Sequence, residues 1–139
     1  MHEKKITITS EINAHIDYIW QCWTQPEHIT KWNFASDDWH CPDASNNLTV
    51  GGIYKARMEA RNGSFAFDFI AKYDEIIEKK LLRYTIIDDG RNVTTHFIPK
   101  SGKIIITTIF DAEKENPEEM QRKGWQAILN NFKKYVESA

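Results

Sequence analysis

The last quarter of this sequence carries an unbroken apolar stripe of helical period, and a rod that is apolar along one side needs another layer to lie on. Trp125, Ile128, Leu129, Phe132, Tyr135 and Val136 fall at i, i+3, i+4, i+7, i+10 and i+11, and Met120 extends the stripe back by a turn. Just upstream, Asn116-Pro117-Glu118-Glu119 reads as a helix start, with an N-cap, a proline at the first position and two acids at the positive end of the dipole. At the rise of an α-helix the rod is about 30 Å long, enough to cross a small sheet. Complete burial of its six stripe side chains would stabilise the fold by on the order of 10 to 15 kcal/mol. Gly124 interrupts the helix at a cost of about 1 kcal/mol relative to Ala. The simplest offset is a close approach of the helix backbone to a strand or to a ligand, with packing on a strand the favoured of the two.

The rest of the chain supplies that layer. Ile6, Ile8 and Ile12 alternate with polar residues and predict a first strand. Ile16, Ile19, Trp20 and Trp23 then fall on one face of a short helix, and Thr24-Gln25-Pro26-Glu27 has the spacing of a capping box opening a second one with Ile29 and Trp32. Residues 33–47 are rich in Asp, Ser and Asn and read mostly as loop, with Phe34 and Trp39 embedded and Trp39-His40-Cys41 as a short edge strand at most. From Leu48 to Asp111, Asn62-Gly63, Asp89-Gly90 and Ser101-Gly102 each separate alternating segments, the pattern of an antiparallel meander. Parity assigns to its inner face Tyr54, Ala56, Met58; Phe65, Phe67, Phe69, Ala71; Leu82, Tyr84, Ile86; Val93, Thr95, Phe97; and Ile104, Ile106, Thr108, Phe110. Ile105 and Ile109 fall on the outer face, where they suggest an edge contact or a partner.

A length of 139 residues suits one domain over 1–139. The formal net charge is -2, with Lys and Arg scattered among Asp and Glu, which argues against nucleic acid as a ligand. No stretch approaches a membrane-spanning length and Met1-His2-Glu3-Lys4-Lys5 has no apolar signal region, so the expected location is cytoplasmic, away from a membrane. Cys22 and Cys41 lie in unlike contexts and read as reduced, buried thiols.

Catalytic patterns are missing. There is no Walker loop, dinucleotide fingerprint, nucleophile elbow or paired-histidine motif. His15, His28, His40 and His96 are irregularly spaced, and a metal site from His40, Cys41 and Asp37 or Asp38 lacks ligand spacing. We therefore expect no catalytic residues, metal or cofactor. Tyr54, Tyr84, Thr95 and Thr108 are the inward polar groups able to hydrogen-bond a ligand or one another, and Asp68 has the wrong parity for an inward acid.

Three segments carry a family resemblance: Ile19 to Trp32 with its Trp23-Thr24-Gln25-Pro26-Glu27 run, Leu48-Thr49-Val50-Gly51-Gly52-Ile53-Tyr54, and Gly124-Trp125-Gln126-Ala127-Ile128-Leu129-Asn130-Asn131-Phe132. In this order they resemble the START-like, or helix-grip, superfamily, and more narrowly the branch related to the activator of the heat-shock-protein-90 ATPase. The family often doubles the aromatic after the second helix, whereas this chain has Trp32-Asn33-Phe34. The resemblance implies an α+β fold, a curved antiparallel sheet wrapped around a long C-terminal helix, with an apolar cavity between them. The residues expected around a ligand are Trp20, Trp23, Trp32, Phe34, Trp39, Tyr54, Met58, Phe65, Phe67, Phe69, Tyr84, Phe97, Trp125, Leu129 and Phe132. The function implied is non-enzymatic binding of a small apolar or aromatic molecule such as a lipid, polyketide or flavonoid-like compound. Two alternatives stay open: a cyclase- or hydrolase-type enzyme using the same pocket, and a chaperone-related stress-response interaction protein. A weak homodimer is a further expected partnership.

Overall fold

A computed structural model of the protein describes residues 4–138; the polar start at Met1-His2-Glu3 lies outside them. The elements run β1 (Lys5–Ile12), α1 (Ile16–Thr24), α2 (Pro26–Trp32), β2 (Trp39–Asn46), β3 (Ile53–Ala60), β4 (Ala66–Ile77), β5 (Leu81–Ile86), β6 (Asn92–Lys100), β7 (Lys103–Asp111) and α3 (Glu118–Glu137). The strands form one seven-stranded antiparallel sheet in the order β1-β7-β6-β5-β4-β3-β2, curled into a half-barrel. The meander from β2 to β7 is consecutive, and β1 closes onto β7. The α1–α2 pair therefore carries the chain from one edge strand to the other, and α3 packs on β1, α1 and α2.

Inner-face parity holds across most of the sheet. Two transverse rows cross the inner face: Tyr73–Tyr84–Val93–Phe110–Ile6, and Leu82–Thr95–Thr108–Ile8. Tyr73 follows Ala71 on the inner face, and a bulge between Tyr73 and Glu75 then resets the alternation of β4 so that Ile76, opposite Leu82, packs against the core. Cys22 and Cys41 are free and buried.

Several details differ from the sequence reading. Residues 39–46 form a full edge strand rather than loop, because backbone pairing with β3 needs no apolar side chains, and a register shift between His40 and Asp43 accommodates Pro42. Phe65 lies outside β4 and is 59% exposed, so it is not part of the inner face. The capping box at α2 does not form: Gln25 is the N-cap without a side-chain bond, and the Thr24 hydroxyl donates to the Trp20 carbonyl at 2.7 Å. Pro117, not Asn116, occupies the N-cap of α3. The buried Gln121 instead ties the entry loop, accepting from the Glu113 N–H at 2.8 Å and donating to the Asn116 carbonyl at 2.7 Å.

Two corrections concern α3 itself. Of its stripe, Leu129, Phe132 and Val136 are buried, whereas Trp125, Ile128 and Tyr135 are only partly so, and full burial overstates what docking contributes. A Cβ at Gly124 would meet nothing within 4 Å. No backbone approaches there; Gly124 faces open space.

Candidate functional site

The open space beside Gly124 is a cavity of about 380 Å³ between the concave sheet and the first half of α3. Its floor is Ile8, Val93, Thr95 and Thr108, side chains brought together by the cross-strand register. The Thr95 and Thr108 hydroxyls sit 2.9 Å apart in the buried row and hydrogen-bond each other. Aromatic rings make the walls. Tyr54 and Tyr84 lie parallel, 7° between planes and 5.9 Å between centroids, and Phe69 meets Tyr84 and Trp125 edge-on at 6.1 and 6.3 Å. Phe67 and Met120, 42% and 61% exposed, flank the mouth.

Polar groups around this apolar space are few. The Tyr54 hydroxyl accepts from Asn33 Nδ2 at 3.2 Å, and the Tyr73 hydroxyl donates to Asn46 Oδ1 at 2.8 Å. The Tyr84 hydroxyl has no hydrogen-bond partner among the described residues. Burial pushes all three phenols above their ordinary range, and for Tyr54 the neighbouring Tyr84 and Tyr73 add to it. Arg91 and Glu113 are the charged residues in the lining, with Arg91 Nη2 3.9 Å from Glu113 Oε2. Arg91 Nε donates to Asp89 Oδ2 at 2.7 Å.

Of the residues expected around a ligand, the cavity brings together Trp23, Trp32, Tyr54, Met58, Phe67, Phe69, Tyr84, Trp125 and Leu129. Trp20, Phe97 and Phe132 lie in the core behind it, where Trp23 packs on Phe97 at 5.6 Å and on Phe132 at 4.9 Å. Phe34 lines a separate shallow depression with Ala127 and Asn131. Trp39 and Phe65 form an outer rim cluster with Phe67, their centroids about 6 Å apart. Among the described residues no group of three or more His, Cys, Asp or Glu side chains is placed to hold a metal ion; His40 Nε2 instead sits 3.5 Å from Glu59 Oε1.

The cavity also uses residues that sequence reasoning passed over. Tyr73 follows Ala71 in parity and was reachable by extending the strand. Gln121 lies one turn back on the helix face that carries Trp125, whereas Gly124, one turn before Ile128, is already marked in the sequence as an interruption of the stripe. Arg91, Glu113 and Asn116 come from turns and the entry loop to α3, where no periodicity marks a direction.

A half-barrel of antiparallel strands gripping a long C-terminal helix, with two short helices after the first strand, defines a member of the START-like helix-grip superfamily. The family model described as Activator of Hsp90 ATPase homolog 1-like protein matches residues 13–137, and the chain belongs to that family. An AHSA1-like protein from Aeromonas hydrophila is 38% identical with a TM-score of 0.91, over 97% of this chain and 93% of that one. A protein from Cytophaga hutchinsonii is 44% identical with a TM-score of 0.84, over 96% and 92%. An Aha1 dimer from Colwellia psychrerythraea shares the fold at 17% identity and a TM-score of 0.76, over 97% of each chain. No curated protein matches. Among the described residues no helix is long and apolar enough to cross a membrane.

Proposed function

We propose that this domain binds a small apolar or aromatic molecule in the cavity between sheet and C-terminal helix, as a cytoplasmic binding module and not an enzyme. The observation that carries the reading is a volume of about 380 Å³ left open at the centre of so short a chain. Close packing is the rule in protein interiors, and an apolar void forfeits contact energy on every wall. Gly124 of α3 lines the cavity, and a Cβ there would meet nothing within 4 Å. The size of the cavity falls in the range of small-molecule pockets, which combine mostly apolar walls with a few placed polar groups. Mass spectrometry of the natively purified protein should reveal a copurifying apolar compound. A set of apolar aromatic compounds should also raise the melting temperature, with the logarithm of concentration once the site is near saturation. Protein that arrives empty and shows no thermal shift across such a set would end this reading.

A weak homodimer belongs to the same proposal. Its support is the outer face of β6 and β7, where Ile98 is 46% exposed and paired with the half-buried Ile105. Sedimentation equilibrium of the wild type and of Ile98→Lys tests it: association lost in the variant supports that face, and a strictly monomeric wild type removes it.

A further inference from the structure

The charged residues of the cavity specify the chemistry of the ligand's polar end. Arg91 is 12% exposed in its side chain, and its Nε is committed to Asp89. Its Nη1 and Nη2 make no hydrogen bond among the described residues, and neither does the Tyr84 hydroxyl, which faces the same cavity. The cavity's unused hydrogen-bonding capacity is therefore richer in donors than in acceptors: Gln121 Oε1 takes the Glu113 N–H and Glu113 Oε1 accepts from Asn116 Nδ2, which leaves Glu113 Oε2, 3.9 Å from Arg91 Nη2, as the open carboxylate oxygen. A donor-rich end recognises an acceptor oxygen.

Charge decides which kind of oxygen. Two carboxylates, Asp89 at 2.7 Å and Glu113 at 3.9 Å, already face the single guanidinium. A ligand carboxylate would be a third negative group beside one positive one, in a space whose other walls are apolar rings and aliphatic side chains. Desolvating that anion there is costly and the field does not offset it. A carbonyl oxygen accepts the same hydrogen bonds without the charge.

On the reading that this cavity binds a small molecule, we infer that its ligand is an uncharged aromatic or alicyclic compound carrying a carbonyl oxygen. The oxygen accepts hydrogen bonds from the Tyr84 hydroxyl and the Arg91 guanidinium, and the ring system lies against the aromatic wall that Phe69 and Trp125 form together. Arg91 and Tyr84 are then specificity determinants, and Glu113 excludes carboxylates, fatty acids included.

Three probes matched in shape test this by titration calorimetry: 2-acetylnaphthalene, 2-ethylnaphthalene and 2-naphthoate. The ketone should bind tighter than the hydrocarbon and the acid. Tyr84→Phe, which keeps the ring, should weaken the ketone about tenfold and leave the hydrocarbon unchanged. Arg91→Gln should act in the same direction, and Glu113→Gln should strengthen naphthoate severalfold without helping the ketone. Naphthoate binding tightest to the wild type, or a ketone affinity indifferent to both Tyr84→Phe and Arg91→Gln in folded protein, would overturn the inference while leaving the cavity as a binding site. Failure of all three probes to bind would remove the binding reading itself, and this inference with it.

Discussion

The indole of Trp125 lies flat on the ring of Phe110, with centroids 4.0 Å apart and planes 12° from parallel. This stack joins the middle of α3 to the last strand of the sheet at the edge of the cavity, so it both docks the helix and shapes a wall. Trp125→Ala removes the stack and a partly buried ring, and should destabilise the fold by about 2 to 3 kcal/mol, below the value for a fully buried tryptophan. Trp125→Phe should recover more than half of that. Denaturant unfolding measures both, and an alanine variant as stable as wild type would show that the helix is held elsewhere.

Gly124 gives a prediction of opposite sign. A methyl group there would meet nothing within 4 Å and would remove the helix penalty of glycine. Gly124→Ala should therefore raise stability by about 0.5 to 1 kcal/mol. Gly124→Leu should stay folded and lose ligand uptake, since its side chain projects into the cavity. Thermal melts with and without an apolar compound separate the two effects. A strongly destabilised Gly124→Leu would mean that the helix does touch the sheet at this point.

The contrast at Gly124 shows what sequence does and does not disclose. A glycine inside the helical stripe is visible as an anomaly, but close approach and a cavity leave the same letter in the sequence, and only the position of the facing sheet separates them. The α3 stripe, the strand parity from Tyr54 to Phe110 and three glycine turns were legible because each is a local periodicity or a local φ requirement; Gly63, Gly90 and Gly102 all have positive φ. Strand β2 was not legible, since an edge strand paired on one side tolerates polar residues and Pro42 at a bulge. The turn before β5 was hidden as well, because Lys79 takes φ 63° where glycine is the usual signal. Nine of the fifteen expected ligand residues line the cavity, and the others are aromatic residues whose type cannot distinguish a cavity wall from the core behind it or from an outer rim.

The Thr95–Thr108 pair should behave as a unit. Each hydroxyl is buried and the other is its partner at 2.9 Å. Thr95→Val or Thr108→Val alone strands one hydroxyl and should cost about 1 to 3 kcal/mol, while the double valine replaces both with apolar groups of the same shape and should cost less than either. A double-mutant cycle on unfolding free energies reads the coupling. Additive losses would place another partner on these oxygens.

The tyrosines give the cavity a signature in alkali. Tyr54, Tyr73 and Tyr84 are all raised by burial, Tyr54 and Tyr84 also by neighbouring phenols, so each stays protonated in the folded protein where a free phenol ionises near 10. A group whose folded value is raised contributes stability that is fully present below its unfolded value and is lost as pH rises beyond it. Unfolded chains take up the phenolate form from about pH 10 upward, so the folded state should lose stability steadily above that point and then unfold cooperatively. Phenolate absorbance should therefore show an early phase from Tyr18 and Tyr135, whose shifts lack the deep burial of the cavity rings. A late phase should coincide with loss of the near-ultraviolet circular dichroism of Trp125. Tyr84→Phe should reduce the late amplitude by one tyrosine and make stability less sensitive to alkali. A smooth titration of all five tyrosines near 10 in protein that stays folded would mean that the cavity rings are open to water.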